Sequence, residues 1–355
     1  MFKIDATDKK LTAELQQLID NKTKPLGALG QLESLALKIG LIQQSLKPVL
    51  HKPAMLVFAA DHGIANAGVS PYPQAVTQQM VLNFLQGGAA INVFCRQHGL
   101  SLSVIDAGVN AELPDHPQLI KQSMGMGTEN YLNNHAMTLE QAQEAIRRGA
   151  AQVRQLAEQG CNVVGFGEMG IANTSSAALI MHRITGISLT ECVGRGTGLD
   201  DKGLLNKLSL LQQAANYHAQ NHNPLQILAT FGGFEIAMIC GAFLQAAELK
   251  MTILVDGFIV SSALLIAHAL YPEVLEYCVF SHQSNESGHR KMLDYLKVKP
   301  LLQMDLRLGE GSGAALAYPL LQSALAFMHE MASFQAAGVS QSDADSGCHN
   351  TNEPS

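Results

Sequence analysis

The sequence has few charged residues: they make up 15% of its 355 residues, against about 25% in a typical globular protein. Few charges leave much apolar surface to be covered. We therefore expect a subunit interface, that of a homodimer, in addition to a buried core. The formal net charge is −7, and the chain has no run of lysine and arginine. Binding to nucleic acid is not expected from this balance.

The sequence also lacks the signals of secretion and of structural metal binding. None of its six cysteines forms a CxxC pair, which is typical of buried free thiols in a reducing compartment, so we expect a cytoplasmic protein. The N-terminal segment MFKIDATDKK has no apolar core of a signal peptide. Polar residues interrupt the hydrophobic stretch 251–270, so a strand followed by a helix explains it better than a membrane span.

Short apolar runs alternate with longer helical patterns from about residue 54 onward. This alternation predicts an α/β fold with a parallel sheet covered by helices on both faces. Five of the six candidate strands run into a turn that carries glycine or polar residues, and these turns should converge on one ligand crevice. The six predicted strands are 54–60, 102–107, 162–166, 226–231, 252–255 and 277–280. Helices are predicted near 73–98, 138–158, 173–185, 201–221, 233–249, 258–270 and 285–297.

Both ends of the chain fall outside this alternation. Helices are expected near 8–20 and 31–46, and a long apolar helix follows the glycine-rich segment LRLGEGSG. We predict that residues 1–50 and 301–335 form a small helical domain beside a large α/β domain, residues 51–300. Residues 336–355 are polar and free of aromatic side chains, which favours a disordered tail.

The segment 161–201 is the most informative part of the chain. An apolar run leads into a glycine turn at 167–170, and a helix start crowded with small polar side chains follows. Such a place binds anions, because backbone N–H groups and the positive end of the helix dipole meet there. A second glycine-rich turn at 194–198 also opens a helix, so a phosphorylated substrate is indicated. The candidate binding residues are Gly170, Asn173, Thr174, Ser175, Gly196 and Gly198.

Three side chains are candidates for chemistry, each with a simpler alternative. Glu310 lies in a glycine-rich turn between apolar residues and could be tuned as a general base, although a solvated loop glutamate fits the pattern equally well. Glu168 lies where a parallel strand delivers residues to the crevice, and a helix cap is its alternative. Lys207 has the pattern of an exposed helix lysine. Asp61 and His62 follow the first strand, where a structural role is favoured.

Two further segments carry possible ligand contacts. Residues 281–289 contain two histidines and a glutamate, but no metal-binding spacing supports them, so no metal is predicted. Residues 68–80 mix proline, tyrosine, methionine and amides, which could frame a flat aromatic ligand. A helix that begins with proline accounts for the second segment more simply.

Ten segments, in order from about Lys24 to Ser333, resemble those of the nicotinate-nucleotide–dimethylbenzimidazole phosphoribosyltransferase family. They are KPLGALGQLE, ADHGIANAGVSPYPQAVTQQM, NFLQGGAAINVF, DAGV, GEMGIANTSSAA, GRGTGLDD, FGGFEIAMICGA, LVDGFIVSSAL, SHQSNESGH and LGEGSGAALA. The resemblance implies a Rossmann-like parallel sheet, a small helical domain built from both chain ends, and a homodimer. It also implies transfer of ribose 5-phosphate from nicotinate mononucleotide to 5,6-dimethylbenzimidazole, for the lower ligand of cobalamin, with no cofactor.

The resemblance also assigns roles to individual positions. The family's catalytic glutamate falls on Glu310, its second active-site glutamate on Glu168 and its active-site lysine on Lys207. Glu310 would remove the benzimidazole N–H proton, and Glu168 could steady positive charge on the ribose. Lys207 could hold the phosphate together with the turn 170–175. The family's contacts to the benzimidazole fall on Ser70, Tyr72, Gln79, Met80 and Leu308.

Alternatives of other kinds are weaker on the sequence. A metal-dependent transferase that uses phosphoribosyl pyrophosphate should show four apolar residues, two acids and a Thr-Gly turn. Residues 200–203 supply two acids and a glycine, but they lack the leading apolar run and the threonine. A Rossmann oxidoreductase should show GxGxxG after its first strand, and residues 59–63 do not. A non-catalytic nucleotide-binding regulator would not need both glutamates, and an activity assay separates it from an enzyme. Adenine or a phenolic compound could replace dimethylbenzimidazole as the accepting base.

Overall fold

The protein is described by a computed structural model that covers residues 2–196, 198–220 and 223–340. The chain forms two compact units. The larger unit consists of residues 2–7 and Leu50–Pro319, and the second consists of Asp8–Val49 and the chain from Leu320 onward. The segment 301–319, which the sequence assigned to the small helical domain, groups with the larger unit. Glu310 is therefore carried by the same unit as the sheet.

The larger unit is built on a sheet of six strands, and every neighbouring pair within the described residues is parallel. Their spatial order is β3-β2-β1-β4-β5-β6, the order of a doubly wound Rossmann-like sheet. The prediction of a parallel six-stranded sheet flanked by helices is confirmed. The strands are β1 Ala54–Ala60, β2 Ser101–Gly108, β3 Leu119–Lys121, β4 Val163–Met169, β5 Thr252–Val255 and β6 Cys278–Phe280.

The observed sheet differs from the predicted one at three points. Residues 226–231 were predicted as a strand but belong to a helix, Pro224–Phe231. The side chain of Asn223 accepts the Leu225 N–H and proline occupies the first helical turn, and both features favour a helix start. The sixth strand is instead the three-residue β3, which is too short to show a periodic pattern. In addition, β4 continues to Met169, so Glu168 lies within the strand.

Helices flank the sheet and connect its strands, and residues 63–67 and 272–277 form 3-10 turns. The helix at 173–185 and the one at 258–270 have the bounds that the sequence predicted. The α-helices of the described chain are α1 Thr12–Asp20, α2 Gln31–Gln43, α3 Val76–Leu85, α4 Ala90–His98, α5 Leu139–Glu158, α6 Asn173–Thr185, α7 Leu189–Cys192, α8 Asp201–Tyr217, α9 Pro224–Phe231, α10 Phe234–Glu248, α11 Phe258–Leu270, α12 His289–Leu296, α13 Ser312–Glu330 and α14 Phe334–Ala337.

The second unit contains a buried ion pair between Lys24 and Glu33, whose charged atoms are 2.8 Å apart. The Glu33 carboxylate also accepts the Leu29 N–H, and Lys22 donates to the carbonyl of Met331 at 2.8 Å. Buried charges need such partners, because an unpaired charge is costly away from water. The unit's polar contacts therefore hold the glycine-rich segment before α2 in place.

Two predictions about the chain as a whole can be compared with this fold. The start of the expected disordered tail, residues 336–337, belongs to α14, whereas 341–355 lie outside the described residues. The hydrophobic stretch 251–270 forms β5 and α11. Over the ranges that the structure covers, no helix combines the length and apolar character that crossing a membrane requires.

Candidate active site

The strand order reverses between β1 and β4, and a cavity of about 670 Å³ lies near the carboxyl end of β4. This is where doubly wound sheets bind their ligands. Its walls come from the end of β4, the turn into α6, the segments after β5 and β6, and residues 305–310. Of the five turns expected to converge, those at 167–170 and 256–257 contribute to the lining. The volume is that of a pocket for a nucleotide-sized ligand.

Most of the predicted site residues meet in this cavity. Three do not line it: Ser175 is fully buried, and Gln79 and Gly198 are exposed. Gly170 does line it, but its missing Cβ would lie 2.5 Å from the carbonyl oxygen of Ala60, so packing against β1 already requires a glycine there. The predicted residues that line the cavity are Ser70, Tyr72, Met80, Glu168, Gly170, Asn173, Thr174, Gly196, Lys207, Leu308 and Glu310.

Glu310 lies in a turn of three consecutive left-handed residues. The φ angles of Gly309, Glu310 and Gly311 are +84°, +64° and +84°. Left-handed backbone is unfavourable for a residue with a side chain, and it persists where the surroundings impose it. Gly167 of β4 makes room for this turn, because a Cβ there would lie 2.2 Å from the carbonyl oxygen of Glu310. Gly309 and Gly311 on either side of Glu310, together with Gly167, thus allow the turn that positions the Glu310 carboxylate.

The Glu310 carboxylate lies at the beginning of α4, where the Ile91 N–H donates to it at 3.4 Å. Burial raises the pKa of Glu310, the Ile91 N–H lowers it, and the nearby Asp256 raises it. A buried carboxylate with a raised pKa is a stronger proton acceptor once it is ionised. The general-base interpretation, rather than the solvated loop glutamate, fits this environment.

Glu168 is buried at the end of β4 and accepts hydrogen bonds from the Asn173 side chain and from the backbone N–H of Glu310. The pKa of Glu168 is raised to about 8, mainly by burial and to a smaller extent by the negative charges of Asp256 and Glu235, against the lowering effect of the Asn173 hydrogen bond. The carboxyl group is consequently largely protonated at neutral pH. A cation beside it would favour its ionised form.

Lys207 of α8 is buried, with 1% of its surface exposed, although its pattern indicated an exposed helix lysine. Its ammonium donates to the Thr174 hydroxyl at 2.9 Å and to the Gly194 carbonyl at 3.3 Å. Burial lowers the pKa of Lys207 to about 8, and the negative charge of Glu286 raises it. A desolvated cation next to the first turn of α6 is suited to hold an anionic group.

Sequence reasoning missed several polar residues of the cavity wall, among them Asp256, His282 and Glu286. The turn at 256–257 was expected at the crevice, but no role was assigned to the Asp256 side chain. His282 and Glu286 were weighed as possible metal ligands or as part of a strand end and helix cap. Glu286 accepts the Gly196 N–H and lies close to Lys207, and burial raises the pKa of Glu286. The position of Asp256 directly after a buried strand predicted its place near the crevice, but not its hydrogen-bond partners. The arginines Arg195 and Arg307 also line the cavity.

The Asp61–His62 pair takes part in a buried cluster beside the sheet. Nε2 of His62 lies 2.7 Å from the Glu235 carboxylate, and its Nδ1 lies 3.1 Å from the Ser176 hydroxyl. Both side chains of the His62–Glu235 pair are fully buried, and neither lines the cavity. A structural role under α6 therefore fits His62. Within the described ranges, no group of three or more His, Cys, Asp or Glu side chains could hold a metal ion.

The other half of the cavity is mainly apolar. Val69, Val76 and Met80 line it from the segment before α3 and from α3 itself, together with the hydroxyl-bearing Ser70. Tyr72 and Leu308 lie at the rim, with 49% and 58% of their surfaces exposed. Apolar walls with a few polar groups are typical of sites for flat aromatic ligands. The cavity thus has an apolar half and a half with the buried cation of Lys207, and Glu168 and Glu310 both belong to its wall.

The comparisons with known proteins agree with this geometry. A family model described as a phosphoribosyltransferase matches residues 4–339, which defines the class of enzyme. A relative from Cupriavidus necator, named nicotinate-nucleotide–dimethylbenzimidazole phosphoribosyltransferase, is 60% identical over 337 residues, 95% of this chain and 97% of its own. A relative of the same name from Dechloromonas aromatica is 59% identical, over 96% of this chain and 99% of its own.

A solved structure shows the same fold. The crystal structure of CobT from Thermus thermophilus superimposes with a TM-score of 0.91 at 42% identity, covering 94% of this chain and 100% of that one. The chain belongs to the nicotinate-nucleotide–dimethylbenzimidazole phosphoribosyltransferase family. The resemblance seen in its sequence is confirmed.

Proposed function

We propose that this enzyme transfers the 5-phosphoribosyl group of nicotinate mononucleotide to 5,6-dimethylbenzimidazole. The products are nicotinate and α-ribazole 5′-phosphate, the precursor of the lower ligand of cobalamin. The observation that carries the proposal is the shared cavity, because Glu310, Glu168 and Lys207 line one space at the carboxyl end of the sheet. Family membership supports the same reaction.

The chemistry needs a proton acceptor beside the incoming base. One benzimidazole nitrogen attacks C1′ with its lone pair, and the bond from C1′ to the pyridine nitrogen breaks, so its electron pair neutralises the nicotinate ring. The ring that attacked would keep a positive charge unless its N–H proton is removed. Glu310 is suited to take that proton, since its carboxylate is buried and oriented at the start of α4.

The stereochemistry follows from the direction of attack. Nicotinate leaves from one face of C1′, and the benzimidazole enters from the opposite face, which gives the α-configured product. Positive charge develops on the ribose while the bond to nicotinate is partly broken and the bond to benzimidazole is only partly formed. Glu168, with Asn173 as its hydrogen-bond partner, supplies a carboxyl group that this charge would ionise and that would stabilise it.

The phosphate belongs to the half of the cavity around Lys207. The ammonium of Lys207 and the hydroxyl of Thr174 are 2.9 Å apart, and both line the cavity beside Gly196. The apolar half, with Met80, Tyr72 and Leu308, is left for the benzimidazole ring. In this proposal the two substrates bind at opposite ends of one crevice.

We further propose that the enzyme works in the cytoplasm as a homodimer. The five cysteines within the described residues are free and buried, which suits a reducing compartment. The low charge content supports a subunit interface, for which the helices beside the sheet are the candidates. Sedimentation at micromolar protein concentration tests the dimer, and a monomer there would contradict it.

The test of function is a turnover assay with both substrates. The purified enzyme should release nicotinate and form the nucleotide in equal amounts, and the coupling of the anomeric proton in NMR spectra should show the α configuration. Activity should be unchanged in EDTA, because a pyridinium leaving group needs no Lewis acid. Activity that requires Mg²⁺ and phosphoribosyl pyrophosphate would support the metal-dependent transferase instead. Binding of both substrates without turnover would support a regulator.

A further inference from the structure

Asp256 is a buried carboxylate at the carboxyl end of β5, with 2% of its surface exposed. One of its oxygens accepts the Gly311 N–H at 3.2 Å, and the other accepts the Ala314 N–H at 3.0 Å. Nδ1 of His282 lies 3.8 Å from the same carboxylate. Both oxygens are thus engaged by the backbone that directly follows Glu310.

These two hydrogen bonds make Asp256 the N-terminal cap of α13, supplied from another part of the chain. Helix α13 begins at Ser312, directly after Gly311, which has no side chain to accept the free N–H groups of the first turn. Helix starts normally use an Asp, Asn, Ser or Thr at that position. The negative charge of Asp256 also lies at the positive end of the helix dipole.

The cap fixes the turn that carries Glu310. Glu310 has a left-handed backbone, which a residue with a side chain adopts only when neighbouring contacts impose it. Asp256 binds the N–H of the residue after it, and the Ser312 hydroxyl donates to the carbonyl of Gly309 before it at 2.6 Å. The backbone is therefore held on both sides of the glutamate.

We propose that Asp256 is a positioning residue, which holds the Glu310 carboxylate in its reactive place by capping α13 from the end of β5. The inference rests on the proposed function of Glu310 as the proton acceptor. Asp256 acts through the turn and not on the substrate. A small displacement of a reacting group can lower a rate by about 100-fold.

The test is the substitution Asp256→Asn. It keeps the size of the side chain, but since both oxygens accept backbone N–H groups, the new amide must turn its NH2 toward one of them. The turn should then shift. We expect kcat to fall by about 100-fold with KM for nicotinate mononucleotide little changed, because the phosphate half is untouched.

Asp106 provides the matched control. Asp106 also lies near the end of a strand, β2, and it does not line the cavity. Its carboxylate accepts hydrogen bonds from the backbone N–H groups of Gly108 and Val109 at 3.0 and 2.9 Å. The substitution Asp106→Ala removes both bonds, so it should lower stability and leave kcat unchanged. If Asp256→Asn does not fold, Asp256→Ala gives the same readout, because it removes the acceptor without adding a donor.

A double-mutant cycle decides whether Asp256 acts through Glu310. In the Glu310→Gln background, Asp256→Asn should lower kcat no further, because residues that act as one unit are not additive. The inference is overturned if Asp256→Asn lowers kcat by the same factor in the Glu310→Gln background as in the wild type. It is also overturned if Asp256→Asn alone retains full kcat, and in both cases the proposed function stands. Absence of turnover by the wild-type enzyme overturns the proposed function, and this inference with it.

Discussion

The raised pKa of Glu168 leads to a prediction about stability that can be tested without an activity assay. In the unfolded chain a glutamate loses its proton near pH 4.5, whereas burial raises the pKa of Glu168 in the folded protein to about 8. Between these values the folded state binds more protons than the unfolded state. The free energy of unfolding therefore falls as pH rises through this window, and the contribution is fully present only below pH 4.5.

The size of the effect follows from the two pKa values. Each pKa unit corresponds to about 1.36 kcal/mol, so a shift from 4.5 to about 8 is worth on the order of 5 kcal/mol across the whole window. The substitution Glu168→Gln removes the titration and keeps the size of the side chain. Other buried carboxyl groups remain in both proteins, so their contributions largely cancel in the difference between wild type and variant.

Urea unfolding of both proteins at several pH values from 5 to 7.5 measures this difference. The stability of the wild type relative to Glu168→Gln should decline steadily as pH rises, by about 1 kcal/mol or more per pH unit. Lys207 does not interfere, because burial lowers its pKa only to about 8, above this range. A difference that stays constant with pH would show that Glu168 is ionised in the folded protein, and the argument from burial would be wrong.

Three further predictions concern activity. Glu310→Gln should bind both substrates but turn over about 100-fold more slowly, the usual contribution of a general base, as steady-state kinetics and calorimetry can show. Lys207→Met should weaken calorimetric binding of nicotinate mononucleotide and leave that of the benzimidazole nearly unchanged, whereas the exposed Lys202→Met should change neither. Gly167→Ala should lower kcat, because its Cβ would lie 2.2 Å from the backbone carbonyl of Glu310, whereas at Gly165 the closest neighbour is the flexible Met55 side chain and Gly165→Ala should cost less activity.

For each of these three predictions, one result would contradict the reasoning. Near-normal turnover in a folded Glu310→Gln variant would remove Glu310 from the mechanism. Equal weakening of both ligands by Lys207→Met would mean that the substitution damages the fold and not the phosphate half. If the two glycine variants lose activity to the same degree, the close approach of the Glu310 turn to β4 is not what makes Gly167 necessary.

The architecture could be predicted from the sequence because its elements are long and their patterns regular. The seven-residue β1 and the helices α6 and α11 were predicted with their exact bounds. The segment 226–231 was misread, since its apolar, β-branched residues are equally compatible with a buried helix. The decisive signal was the Asn-Pro pair at 223–224, which caps a helix and starts it.

The site could be predicted only as far as strand ends and glycine turns reveal it. Glu168 and the start of α6 were found because strand ends form the crevice. The burial of Lys207 could not be predicted, because its partners Thr174 and Gly194 lie outside α8. The periodicity of α8 carries no information about them. The same holds for Asp256, whose hydrogen-bond partners lie 55 and 58 positions further along the chain.

The hydrogen bond between Ile91 and Glu310 joins residues that are 219 positions apart in the chain. All six strands leave the ribosome before the proposed proton acceptor does, because β6 ends at Phe280. A nascent chain that has not reached residue 310 contains every strand of the sheet and still lacks that group. Contacts between such distant segments slow folding, because the entropy of closing a long loop must be overcome before they form. If Glu310 acts as proposed, a chain or proteolytic fragment that ends before residue 310 should contain the described sheet and still lack activity.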